Sequence, residues 1–205
     1  IMVHTGQNFT PELKEFFFND LEMRQPDFDL GIDVSSYANE VASVIQKTDE
    51  VMEKVKPDAL LILGDTYSGL SIMPASYRGI KVFHMEAGLR AYDRRMPEQR
   101  NRILIDHMSD VLLPYKEYHR ENLIRENIHP SKIFVTGNTT FEAMDAFQSQ
   151  INKSEIITKL GLEKGKYILM SAHRSENVDN PETLEQILMT ADKIKKDLGY
   201  QVVFP

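Results

Sequence analysis

At 205 residues the chain can bury a proper core and corresponds to about 1.4 domains at ~150 residues each, one large domain or one and a part. Its 24 basic against 31 acidic residues leave a net charge of −7 with no long basic run, which argues against a polyphosphate groove and against nucleic acid as a partner. The absence of cysteine excludes a disulfide framework, a thiolate zinc site and a cysteine nucleophile, and fits a reducing compartment.

No window approaches about 18 apolar residues, and Ile1–Thr10 lacks a basic start followed by an apolar stretch. Neither a membrane span nor a signal peptide is therefore expected, and the expected location is the cytoplasm. Short β-branched apolar runs alternate with longer amphipathic stretches, the pattern of βαβ units in a parallel sheet, so the expected fold class is α/β. In chain order, Ile1–His4 reads as a strand, and Thr10 with Pro11 opens a helix as cap and first residue. Ser36 to Lys56 reads as an amphipathic helix, with Val41, Val44, Ile45, Val51 and Met52 opposite a charged face. Strands follow at Ala59–Leu63 and Lys81–Met85, then a helix from Pro97 to about Ser109, a strand at Val111–Pro114, a helix over about Lys116–Glu126 and a strand at Ile133–Val135. A helix over about Thr140–Gln150, a strand at Tyr167–Met170, a helix at Pro181–Leu198 stopped by Gly199, and a strand at Gln201–Phe204 complete the series. The polar segment Gln148–Ser154 and the run Gly161–Lys166 mark a junction, dividing the chain into residues 1–150 and the start of a second domain at 151–205.

In an open parallel sheet, ligands bind outside the carboxyl ends of the strands. Here those ends read Gly64-Asp65-Thr66, His84-Met85-Glu86-Ala87-Gly88-Leu89-Arg90, Thr136-Gly137-Asn138-Thr139 and Ser171-Ala172-His173-Arg174. Taken singly, Asp65 reads as well as a helix cap and Gly88 as a turn. Together Asp65, Glu86 and His173 on one edge are more than a scaffold requires. In the run DRRMPEQRNR (Asp93–Arg102), Pro97 at a first helical position puts Glu98, Asn101 and Arg102 on one face. That face is either a solvated surface or a place where a carboxylate and a guanidinium meet a charged substrate, Arg102 offering a bidentate fork to phosphate. His4 and His84, on predicted strands, read as satisfied interior histidines. No GxGxxG follows a strand, and no P-loop, HExxH or GxSxG motif is present, so a carboxylate-rich site with no cofactor and no metal remains.

The segments HTGQN (His4–Asn8), KPDALLILGDT (Lys56–Thr66), HMEAGLR (His84–Arg90), PEQRNR (Pro97–Arg102), VTGNTTFEA (Val135–Ala143) and SAHRSEN (Ser171–Asn177) make the chain resemble the non-hydrolysing UDP-N-acetylglucosamine 2-epimerases. They stand in that family's order and close to its spacing. The resemblance implies two Rossmann-like domains with parallel sheets in the glycosyltransferase-B architecture, and interconversion of UDP-GlcNAc and UDP-ManNAc, for surface-polysaccharide precursors, without NAD or metal. It implies that UDP is eliminated across carbons 1 and 2 and re-added with the opposite configuration at carbon 2. It assigns Asp65, Glu86 and Glu98 as the acid/base carboxylates and His173 as the histidine at the leaving diphosphate, with Arg102, Arg174 and Asn177 as phosphate or sugar contacts. A UDP-sugar substrate and a homodimer follow from the same resemblance.

The chain departs from the family at Asn8, where histidine is usual, and at Asp33-Val34-Ser35, where an Arg-Gln pair is usual. The resemblance therefore does not carry over the family's regulatory second UDP-GlcNAc site. The run Asp93–Glu98 with Asp106-His107 is closer to relatives acting on modified or deoxy UDP-N-acetylhexosamines. A glycosyltransferase of the same architecture and a non-catalytic nucleotide-sugar binder are the competing readings. In the resembled family a strand and a glycine-arginine loop precede the HTGQ segment, and uridine-holding segments follow the second strand of the second domain. The expectation is that these 205 residues alone are truncated at both ends, bind UDP weakly, do not epimerise, and expose Ser154–Pro205 to proteolysis.

Overall fold

A computed structural model describes residues 1–6, 15–93, 95–172 and 175–204, which form two compact units, Ile1–Asp145 and Ala146–Pro205. The first unit runs β1 (Val3–His4), α1 (Glu15–Asp20), β2 (Phe28–Asp29), α2 (Tyr37–Val55), β3 (Ala59–Leu63), a 3₁₀ turn at Tyr67–Ser71, and α3 (Ile72–Tyr77). It continues through β4 (Lys81–Met85), α4 (Pro97–Met108), β5 (Val111–Leu113), α5 (Glu117–Arg125) and, reaching the junction, α6 (Thr139–Ala146). Every strand pairing is parallel: β1 with β2, and β3 with β4 with β5.

Helix α2 shows how the sequence dictates these elements. The Ser36 hydroxyl accepts the Asn39 amide at 3.2 Å, and Lys56 closes the helix in the left-handed region with its N–H on the Met52 carbonyl. Val44, Thr48 and Met52, four residues apart, form the buried stripe. Met52 joins Ile62 of β3, Val82 of β4, Ile72 and Ala75 of α3 and Ile105 of α4 in one core. Ala87, Leu112, Leu123 and Ile133 form a second cluster, which docks α5 beside β5.

Two readings of the sequence need correction. Ile133–Val135 is not a strand: Ile133 forms an isolated parallel bridge with Leu112, and the Phe134 and Thr136 amides donate to Leu112 and Pro114 at 2.9 and 3.0 Å. Phe134 and Val135 are exposed there, so apolar character did not signal burial. The helix expected over Thr140–Gln150 is two helices, α6 and α7 (Gln148–Lys153), interrupted at Phe147. The helix start at Thr10–Pro11 lies outside the described residues.

Between β1 and β3 there is no ladder among the described residues. Instead their edges border a cavity of about 260 Å³ whose walls include Val3, Thr5, Leu61 and Leu63. Among the described residues its lining holds no titratable side chain.

The second unit contains α7, α8 (Ile156–Lys159), β6 (Tyr167–Leu169), α9 (Ser175–Val178), α10 (Pro181–Leu198) and β7 (Gln201–Val203), with β6 and β7 parallel. The Asn180 side chain accepts the Glu182 and Thr183 amides, Pro181 starts α10, and Gly199 at φ +68° ends it. Among the described residues no helix is long and apolar enough to cross a membrane.

Candidate active site

Because β3 and β4 are adjacent and parallel, their carboxyl ends place Asp65 and Glu86 side by side. The Gly64 amide extends the ladder to the Met85 carbonyl at 3.2 Å. A Cβ on Gly64, which sits at φ +80°, would meet Glu86 Oε2 at 3.2 Å, so glycine both permits the turn and leaves room for the neighbouring carboxylate. Glu86 itself occupies the left-handed region at φ +66°, an uncommon conformation for a residue with a side chain.

Helix α4 closes the site from its first turns. The Arg102 guanidinium pairs with Asp65 Oδ2 and lies 3.7 Å from Glu86 Oε1, so one cation serves both acids. Asn101, one residue earlier, donates its side-chain amide to the Asp65 carbonyl at 3.0 Å. Burial raises the Asp65 carboxyl above the usual carboxylate range, with the Glu98 charge adding to the rise and Arg102 opposing it. Burial likewise raises Glu86, Arg102 opposing and Asp65 adding. Two acids moved up in this way are suited to take or give a proton closer to neutral pH than ordinary carboxylates.

Two further residues, following β5 in sequence, sense the charges of this place. Tyr115 is raised by burial and then by the charge on Glu86, and its hydroxyl bonds the Thr139 side chain. His119, on the first turn of α5, is lowered by burial and then by Lys116 and Arg102, which favours its neutral ring. The strand-end rule that singled out Asp65 and Glu86 applies equally to Pro114-Tyr115-Lys116. The signal was therefore present, but tyrosine there reads as an ordinary apolar residue.

Beneath the carboxylates lies a charged network with no solvent access at its centre. His84 of β4, fully buried, has Nδ1 at 2.8 Å from Asp106 Oδ1 and Nε2 at 2.8 Å from the Gly64 carbonyl. Asp106 Oδ2 accepts the Gly88 amide at 3.1 Å and pairs with Arg90 at 2.8 Å. Arg90 then grips Glu126 with two donors, at 2.7 and 2.6 Å, and these bonds hold Glu126 below the usual carboxylate range. Helix α5 packs so closely that a Cβ on Gly88, at φ +77°, would stand 2.3 Å from the His119 carbonyl oxygen.

The structure thus brings Asp65, Glu86 and Arg102 together. Glu98 is exposed on the first turn of α4, near enough for its charge to act on Asp65. His84 is the satisfied interior histidine expected, whereas His4 keeps a 3.5 Å contact with Asp29. Asn177 lies half-buried on α9 of the second unit, and His173 and Arg174 fall outside the described residues. Among the described residues no three histidine, aspartate or glutamate side chains converge as a metal site.

The sequence profile of the UDP-N-acetylglucosamine 2-epimerase family matches residues 1–205. A UDP-N-acetylglucosamine 2-epimerase of Methanococcus maripaludis is 34% identical over 100% of this chain and 57% of its own length. Among solved structures, the UDP-N-acetylglucosamine 2-epimerase from Rickettsia bellii superposes with a TM-score of 0.90 at 41% identity, over 100% of this chain and 53% of that one. The Methanocaldococcus jannaschii UDP-GlcNAc 2-epimerase, in complex with UDP-GlcNAc and UDP, also gives 0.90, at 33% identity over 98% and 56%. The chain spans a little over half the length of these relatives, and it shares their α/β, glycosyltransferase-B-like fold with parallel sheets.

Proposed function

Because the chain belongs to the UDP-N-acetylglucosamine 2-epimerase family, we propose that it forms the catalytic-carboxylate part of a non-hydrolysing epimerase that inverts carbon 2 of a UDP-N-acetylhexosamine. The observation that carries this reading is the pairing of Asp65 and Glu86, both raised by burial, across one Arg102 guanidinium.

Inversion at carbon 2 requires removal of its proton and return of a proton to the opposite face. As the base takes the proton, the carbon–hydrogen electron pair forms the double bond between carbons 1 and 2, and UDP departs with the electrons of the carbon 1–oxygen bond. Re-addition of UDP to carbon 1 accompanies protonation of carbon 2 from the other side. Two acids of neighbouring strands, coupled through one cation, supply a base and an acid without a redox cofactor, and their titration belongs to the pair rather than to either residue. Glu98, His173, Arg174 and Asn177 complete the proposal as a third carboxylate, the histidine at the leaving diphosphate and two further polar contacts. Arg102 is the cation that holds the acids in place and is available to a phosphate oxygen. The reading includes a homodimer working in the cytoplasm, where nucleotide sugars are made.

Incubating UDP-GlcNAc with the full-length protein in deuterium oxide tests it. An epimerase places deuterium on carbon 2 and produces the manno isomer; sugar recovered without deuterium, or transferred to an acceptor, sinks the proposal. Light scattering of the same sample checks the dimer.

A further inference from the structure

The buried network below the carboxylates has a geometry that bears on the reaction. His84 and Asp106 touch backbone at two places only one or two residues from the acids: Nε2 of His84 meets the carbonyl of Gly64, which precedes Asp65, and Oδ2 of Asp106 meets the amide of Gly88, two residues after Glu86. We propose that the His84–Asp106 pair is a positioning device for the epimerisation, holding the Asp65 and Glu86 turns at the separation the two-face proton transfer needs. The inference rests on the reading of Asp65 and Glu86 as the acid/base groups.

The bonds of the pair, its burial and the backbone it restrains support it. A carbonyl oxygen only accepts, so Nε2 of His84 carries the proton toward Gly64, and the ring orientation is set from its other side by Asp106. Asp106 in turn cannot swing away, because Gly88 and Arg90 hold its second oxygen and Arg90 is anchored by Glu126 at the end of α5. All of these groups save Glu126 are shut off from water, so the bonds are unscreened and an unpaired member would be expensive. The backbone they restrain is the uncommon one: Gly64 at φ +80°, Glu86 at +66° and Gly88 at +77° succeed one another around the site. A left-handed residue bearing a side chain persists only where its surroundings over-determine it. The arrangement also explains Asp106's place on α4. It lies one helical turn beyond Arg102, so the helix that delivers the cation to the carboxylates also carries the clamp on the turns that bear them.

His84 and Asp106 reach the reacting atoms only through these turns and are positioning residues. Misplacement of a catalytic group by about 1 Å costs on the order of 10²-fold in rate, so loss of the clamp appears in kcat. In the full-length protein, His84→Phe, which keeps a ring but removes both bonds, should lower kcat per folded molecule about 100-fold with KM within about threefold, while His84→Gln, which keeps a donor for Gly64, should recover roughly tenfold of that loss. Val82→Ala, in the same strand and fully buried but remote from the turns, is the control. A purely structural role makes all three variants lose activity only in proportion to their folded fraction, and that result overturns the proposal. Asp65→Asn measured alongside separates the two levels of inference. If it is inactive while His84→Phe keeps its kcat, the clamp fails and the acid/base reading stands; if Asp65→Asn is fully active, that reading itself fails. Should the His84 variants not fold, proton-detected NMR of the unmodified protein decides the question. A slowly exchanging His84 Nε2 proton coupled through its hydrogen bond to the Gly64 carbonyl supports the clamp, and a rapidly exchanging one refutes it.

Discussion

In the first unit β4 has a parallel neighbour on each side and α2, α3 and α4 packed over one face, and His84 on that strand is fully buried. In the second unit β6 has β7 as its partner, Leu169 on it is 66% exposed, and α10 contains no buried residue. Both units are written in the same alternation of strand and helix, and each has a long helix capped by a side chain, Ser36 on α2 and Asn180 on α10. What differs is the number of layers that meet. A charged network such as His84–Asp106–Arg90 is held only where water is excluded from several directions at once, and the β3–β4–β5 region supplies that exclusion. Local sequence correctness is therefore sufficient for an element and insufficient for a site.

The sharpest way to break that comparison is to remove the chemistry from the first unit without disturbing its packing. Asp65→Asn in the full-length protein should lower epimerisation by ~10²–10⁴ while leaving the melting temperature nearly unchanged. Retention of more than half the activity would return Asp65 to the helix-cap reading. The same measurement on Glu86→Gln should agree, and the double variant should lose much less than the product of the two because the groups act as a unit.

Truncation of apolar side chains measures the packing difference directly. Leu112→Ala, at a fully buried position in β5, should cost about 2–5 kcal/mol in a denaturant titration, whereas Met189→Ala on α10 should stay within about 0.5 kcal/mol. Equal losses at the two positions would show that the units are consolidated to the same degree. Limited proteolysis of these 205 residues reads the same contrast: cuts are expected within Ser154–Pro205 well before any in β3 to β5.

A smaller effect is expected at the close approach of α5. Gly88→Ala places a side chain in the left-handed region and against the His119 carbonyl, a cost of about 2 kcal/mol, which calorimetry would register as a lowered melting temperature. An unchanged melting temperature would mean that α5 is free to move away.

The mildest test uses acid. Glu126 is held below its ordinary range by the Arg90 bonds, so its contribution is present above the unfolded-state value near 4.5 and is lost as pH falls through the lower, folded-state value. Melting temperatures of the unmodified protein should therefore drop in that acidic window, and Glu126→Gln should be less stable at neutral pH but show a flatter acid limb. Parallel curves for the two proteins would remove Glu126 from the network's energetics.

Much of this protein was readable from residue order alone. Ala59–Leu63, Lys81–Met85 and Pro181–Leu198 have the bounds their composition implies, since a short apolar run, a proline at the first helical position and a glycine at the end each act within a few residues. The same locality made Asp65, Glu86 and Arg102 visible as strand-end and helix-face residues. Tertiary structure alone decided what depends on distant partners. It made Ile133 a single bridge to Leu112 rather than a strand. It put Tyr115 within reach of the Glu86 charge and His119 within reach of the Arg102 charge, and it turned His84 from an interior histidine into the link between Gly64 and Asp106. Capping and periodicity are short-range forces written into consecutive residues, whereas burial and the pairing of charges are set by elements twenty or more positions apart, and so appear only once the chain has closed upon itself.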